Sequence, residues 1–176
     1  MSLNFSKEQR ALLINQFEVL KHLDSSNSKS YDNKIEILQN GYSDFYDEIA
    51  GNISDEFPKD QSQKVWDILK LYRKLYFSYE NLTPEEQEQI DEEEVIFQGF
   101  DGNEESNYYV FAKFIVEKAE RYSEINELIK KGKVDMNSHW PKLNYYDGLL
   151  SRLMQLNDED TSQYLACDQI KYILNK

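Results

Sequence analysis

Apolar residues recur along most of the chain at steps of three and four, the spacing that gathers them on one face of an α-helix. Leu13, Phe17 and Leu20, widened by Leu12 and Leu23, predict a first helix from about Lys7 to Leu23, ended by the turn formers Asp24-Ser25-Ser26-Asn27-Ser28. Ile35, Leu38, Tyr42, Phe45 and Ile49 keep the same rhythm, yet Asn40-Gly41 falls inside it. Glycine commonly closes a helix in the left-handed conformation, so two helices meeting at Gly41 on one common face are expected. Beyond Pro58, Val65, Leu69, Tyr72, Tyr76 and Tyr79 form one seam, with Ile68, Leu75 and Leu82 beside it. This is the widest apolar face in the sequence, and it predicts the helix at the centre of the core.

Thr83-Pro84-Glu85-Glu86 combines an N-cap hydroxyl, a proline in the first turn and a Glu placed to close a capping box, so a short helix to about Asp91 is expected. Val95-Ile96-Phe97 is β-branched and aromatic and reads as a short extended segment with no obvious partner strand. Tyr108, Phe111, Ala112, Ile115, Ala119 and Tyr122 predict a long second core helix reaching towards Ile129, closed by Lys130-Lys131-Gly132-Lys133. Asn137 or Ser138 is placed to cap a helix carrying Leu143, Tyr146, Leu150 and Leu153, with Pro141 in its first turn. Ile170, Ile173 and Leu174 mark a last short helix. The expected fold is all-α, a single multihelical bundle of about seven helices over residues 1–176, with at most one short extended segment near 95–98. Met1-Ser2-Leu3 has the look of a vector-derived scar and carries no weight.

Charge changes this picture locally. The formal net charge is −13, and no Lys or Arg occurs from Leu75 to Ala112. Eleven acids from Glu80 to Glu105 fall in that stretch and leave −2 for everything else. Such a segment can steer a cationic partner, but a solvated face is the plainer reading. The negative field opposes nucleic acid and anionic membrane, so neither is an expected partner. No apolar run approaches the roughly 20 residues that cross a bilayer, and no signal-peptide pattern opens the chain. With one cysteine, Cys167, the expected compartment is the cytoplasm.

The chemistry-bearing residues are sparse. Asp101, Asn103 and Glu105 superficially outline a calcium loop, but Ser106 stands where that loop needs Gly and Ala112 where it needs Glu, which excludes it. Cys167, His22 and His139 form no local nucleophile or zinc motif, and no glycine pattern cradles a phosphate. No catalytic residue, metal or cofactor is assigned. The thirteen tyrosines suit a pocket rim or an interface, although Tyr42, Tyr72, Tyr76 and Tyr108 lie in apolar stripes and read first as core. Trp66 and Trp140 lie beside stripes, at a core edge or an interface.

Four segments in order, Gln9-Arg10-Ala11-Leu12-Leu13-Ile14-Asn15-Gln16, Asn40-Gly41-Tyr42, Phe97-Gln98-Gly99-Phe100-Asp101 and Glu120-Arg121-Tyr122, resemble the YfbU family of small bacterial proteins. Further likeness lies in Asp67-Ile68 with Tyr72 and Leu75, in Ser78 before Asn81-Leu82, and around Gln163-Tyr164-Leu165. The resemblance implies an all-helical domain with no established enzymatic activity and no catalytic residues to carry over. Some relatives join it to a helix-turn-helix module, which implies a ligand-sensing or regulatory role. The run Glu92-Glu93-Glu94 departs from the family pattern, which has basic residues nearby, so the most acidic stretch is not the expected shared surface.

Two accounts of the Phe97–Asp101 segment stand side by side. In the first, Gly99 permits a turn, Phe100 anchors it, and Asp101 caps the next helix or pairs with Arg121. In the second, Gly99, Phe100, Asp101, Arg121 and Tyr122 line a polar cleft between the two long helices, with the arginine holding an anionic ligand group. The expected function is a non-catalytic regulatory domain that binds a small ligand or a protein partner and forms a homo-oligomer, a dimer being favoured. The alternatives are a small metal-dependent hydrolase drawing carboxylates from several helices, for which Asp67, Glu117 and Glu120 are the acids to examine, and a purely structural homo-oligomer.

Overall fold

The computed structural model describes residues 3–156 and 164–176. Met1 and Ser2 of the opening tripeptide, and Gln163 of the tail motif, lie outside the described residues. The chain divides into two compact units, Met1–Glu56 and Phe57–Lys176. Among the described residues there are ten α-helices and no strand, and three of the helices are single turns of four residues.

The first unit is a helical hairpin. Helix α1, Lys7–Leu23, starts at a capping box in which Ser6 and Gln9 exchange side-chain and backbone hydrogen bonds. Helix α2, Ser28–Asn40, ends at Gly41, which adopts φ +69° as its place in the stripe requires. A side chain at Gly41 would meet Arg10, whose Nη1 donates to the Leu38 carbonyl at 2.9 Å. The Gln9–Gln16 and Asn40–Tyr42 segments are thus neighbours in space. Past Gly41 the expected second helix is replaced by a 3-10 turn, Ser43–Phe45, and one helical turn, α3, Asp47–Ala50. Tyr42 and Phe45 are consequently half exposed, and Tyr46 is the ring that is buried.

The second unit is built on α4, Lys59–Glu80, whose seam buries Val65, Ile68, Leu69, Leu71, Tyr72, Leu75 and Ser78. Single-turn helices α5, Pro84–Gln87, and α6, Glu92–Val95, come next, with the expected capping box between Thr83 and Glu86. Helices α7, Ser106–Lys113, α8, Ser123–Lys130, α9, Leu143–Gln155, and α10, Cys167–Leu174, complete it. Helix α4 packs against α6, α7, α9 and α10. In the middle of this core the rings of Tyr72, Phe97, Phe100 and Tyr146 meet largely edge to face, with centroids 5.5–6.1 Å apart.

At three places the backbone departs from the sequence pattern. Val95 closes α6, and the pairing that does form is a parallel bridge between Phe100 and Asn137. The long second core helix is interrupted: after Lys113 it widens into a π-turn, Phe114–Lys118, in which the Ala119 N–H reaches back five residues to the Phe114 carbonyl. Glu120 and Tyr122 then take left-handed φ values of 50° and 56° before α8 starts. Finally, α9 is not capped by Asn137 or Ser138; the N–H groups of Lys142 and Leu143 at its start are taken by the side chain of Glu105, the residue just before α7.

Candidate functional site

The residues singled out by sequence fall into two separate polar clusters. Gly99, Phe100 and Asp101 belong to the first. Gly99 adopts φ +77°, and a Cβ there would lie 2.5 Å from the Met136 carbonyl oxygen, so only glycine lets the two backbones approach. Phe100 is fully buried, its N–H donates to Met136 O at 3.0 Å, and its carbonyl accepts from the Ser138 N–H at 3.1 Å. Asp101 is buried, and its Oδ1 accepts from the N–H groups of Asn103 (2.7 Å) and Glu104 (2.8 Å), which closes the turn before α7 rather than capping the helix, whose N-cap residue is Glu105. Glu105, which sequence reading places only among the acids and the rejected calcium ligands, is the keystone. Its Oε2 accepts from the Asp101 N–H at 3.0 Å, and its Oε1 accepts from Lys142 N (2.7 Å) and Leu143 N (2.8 Å). Every polar contact of this cluster is directed at backbone of the same unit.

Tyr122 belongs to the second cluster and Arg121 to neither. Arg121 is exposed, and among the described residues no ion pair joins it to Asp101. The guanidinium that covers the Tyr122 ring, 4.0 Å from its centroid, comes from Arg73 on α4. Arg73 also grips the buried Glu124 carboxylate two-handed, Nε to Oε1 at 2.6 Å and Nη2 to Oε2 at 2.9 Å. This pairing raises Arg73 above its ordinary value, led by the hydrogen bond to Glu124. Burial raises the Tyr122 phenol, while the cation beside it pulls in the opposite direction. Tyr122 takes a left-handed φ of 56° as the residue before α8.

Arg73 is at the same time a wall of a groove of about 460 Å³ whose other lining residues, among the described residues, are Lys70, Lys74, Phe77 and Tyr164. Four of these five come from α4 at positions i, i+3, i+4 and i+7, which share one helix face. Three basic side chains thus share one face, Arg73 paired with Glu124 and Lys70 3.9 Å from Asp67, with two aromatic rings beside them, Phe77 42% and Tyr164 38% exposed. The acidic stretch begins at Glu80, three positions after Phe77 on α4, and part of it is paired with lysines, Lys133 on Glu92 at 2.5 Å and Lys176 on Glu94 at 2.6 Å.

The acids named for a metal centre do not converge. Asp67 accepts from Gln63 at 2.8 Å and sits 3.9 Å from Lys70, Glu117 is 4.0 Å from Lys113, and Glu120 is exposed. Among the described residues no three His, Cys, Asp or Glu side chains come together as a group able to hold a metal ion. Cys167 is buried with its thiol 3.8 Å from the Glu86 carbonyl, whereas His22 and His139 are exposed. Among the described residues no helix is long and apolar enough to cross a membrane.

A helical protein, without a strand among the described residues, that has a closed structural turn at Asp101–Glu105 and an open groove along α4 is the class these observations define. The model of the YfbU domain matches residues 3–176, and the chain belongs to the YfbU family. It is similar to the UPF0304 protein MJECS11 of Methanocaldococcus jannaschii, with 40% identity over 141 residues, 80% of this chain and 82% of that protein.

Proposed function

We propose that this YfbU-family chain is a non-catalytic, cytoplasmic binding domain, and that its binding face is the groove on α4. The observation that carries this reading is the state of Arg73. Its guanidinium is fixed by Glu124 and by the Tyr122 ring, yet it stands in the wall of an open groove between two lysines. A cation held in place before a ligand arrives avoids much of the ordering cost of binding. The anion-holding arginine expected beside Tyr122 is therefore Arg73 in this proposal, with Arg121 left outside the site. The groove's volume suits a small molecule better than a flat protein surface does.

Native mass spectrometry after exposure to a filtered small-molecule extract of cells tests the reading. Wild-type protein should retain an adduct of defined mass that the double variant K70E/K74E does not retain. An equal adduct on both proteins, or none on either, would contradict it. Homodimerisation is a second reading, favoured by α1, which buries none of its residues and leaves Leu12 and Leu23 70% and 78% exposed. The same spectra at micromolar protein should then show a dimer; monomer alone would count against it.

A further inference from the structure

We infer that the Tyr42–Phe45 corner of the first unit binds a linear aliphatic polyamine, a molecule with ammonium groups at its ends and methylenes between them. Two hollows, of about 320 and 390 Å³, share the rings of Tyr42 and Phe45 as part of their walls. Glu36 of α2 and Glu48 of α3 line the first hollow, and Asp44 lines the second. Among the described residues no hydrogen bond or ion pair engages the side chains of these three acids, and no cation lies over either ring. The surrounding sequence has one sign of charge: from Ile35 to Pro58 there are six acids and no Lys or Arg. Arg10, the cation that approaches Gly41, is bonded to the Leu38 carbonyl and lines neither hollow. The corner is therefore complementary to a cation, and it belongs to a different unit from the α4 groove, so neither reading depends on the other.

The backbone that carries both rings is held before any ligand arrives. Gly41 turns the chain out of α2, the Tyr42 N–H donates to the Ile37 carbonyl at 3.0 Å, and the Phe45 N–H donates to the Tyr42 carbonyl at 3.1 Å. Buried Tyr46, its ring centroid 4.7 Å from that of Phe5, anchors the turn from within. The break in the apolar stripe that leaves Tyr42 and Phe45 half exposed thus presents two ring faces beside carboxylates. A ring face attracts an ammonium through its quadrupole, a carboxylate attracts it through full charge, and an alkyl chain packs on the ring. A metal ion needs converging ligands, and among the described residues no three His, Cys, Asp or Glu side chains come together to hold one. A single ammonium uses one hollow only. A polyamine carries charge at both ends of an apolar chain, which matches acids in each hollow and rings common to both.

Because both hollows are open, bound ligand exchanges fast, and binding is read at equilibrium by ¹H–¹⁵N titration of the full chain at low salt. Spermidine is the probe, with butylamine and magnesium chloride as controls. Spermidine should shift amides of residues 36–48 saturably, and butylamine, with one charge, should bind about tenfold more weakly. F45A and the double variant E36Q/E48Q, all changes at exposed side chains, should each weaken spermidine by about three- to tenfold. Both variants should melt within about 2 °C of the wild type. Magnesium chloride giving the same shifts at the same concentration would mean diffuse attraction of any dication and would overturn the inference. Spermidine binding left unaltered in F45A, butylamine binding as tightly as spermidine, or shifts at 36–48 that are absent or never saturate would overturn it equally.

Discussion

The turn at Gly99–Glu105 and the cluster at Arg73, Tyr122 and Glu124 are both built from buried carboxylates, both sit beside aromatic rings, and both contain residues that look functional in sequence. They differ in where their hydrogen bonds go. Asp101 and Glu105 direct their oxygens at five backbone N–H groups of their own unit, three of them held by Glu105. Arg73 is committed to Glu124 through two nitrogens and still forms part of an open groove with Lys70, Lys74, Phe77 and Tyr164. A polar cluster whose partners are all internal backbone is a fastening; one that leaves fixed charge facing open space can act on something else.

Alkaline pH should separate the two clusters with the largest effect, because it reaches the core. Burial raises the Tyr146 phenol well above its ordinary value, and Tyr146 donates to the Gly99 carbonyl beneath the turn. Burial raises Tyr72 likewise. A raised folded value means the native state holds its protons longer than the unfolded chain. The stabilising contribution is then complete below about pH 10 and declines as pH rises towards the folded values. Absorbance titration of tyrosinate should show Tyr72 and Tyr146 ionising only together with loss of helical circular dichroism, and Tyr122 ionising earlier. Full ionisation of all tyrosines with the helices intact would contradict the closed core.

Replacing Glu105 with Ala leaves three backbone donors without their acceptor and should cost about 3–5 kcal/mol, measured by urea unfolding. Gly99→Ala forces a Cβ against the Met136 carbonyl at a left-handed position and should cost about 2–4 kcal/mol. Neither change should alter binding by protein that remains folded. Arg73→Ala leaves Glu124 buried without its cation; since the arginine side chain is itself 43% exposed, the cost should be smaller, about 1–3 kcal/mol. Arg73→Ala should also abolish ligand binding, which the turn variants should not. At the small end, Arg121→Ala should move the melting temperature by no more than about 2 °C. A loss of stability at Arg121 equal to that at Arg73 would dissolve the distinction between the two arginines.

Elements whose signals are local are legible in the pattern of residues. Helix α1, the closure at Gly41, the α4 seam and the Thr83 capping box arise from residues within a few positions of one another. The break at Glu120–Tyr122 is hidden because no Gly or Pro marks it, and because positions 115 and 122, seven apart, share a helical face whether or not the helix is continuous. Glu105 is hidden because its partners, Lys142 and Leu143, lie almost forty residues away. The pairing of Arg73 with Glu124 crosses an even longer interval of sequence. One part of the site has a local signal that the apolar pattern overshadows: Lys70, Arg73, Lys74 and Phe77 obey the same three-and-four spacing that reveals the apolar seam, and a cationic stripe is conspicuous in so acidic a chain.

The most direct test of the binding face is a ¹H–¹⁵N correlation spectrum of the labelled protein recorded with and without a filtered small-molecule extract of cells. The shifted amides should cluster at residues 70–77, 122–124 and 164, with residues 99–105 unmoved. Shifts concentrated at 99–105, or spread without relation to α4, would contradict the assignment of binding to the groove.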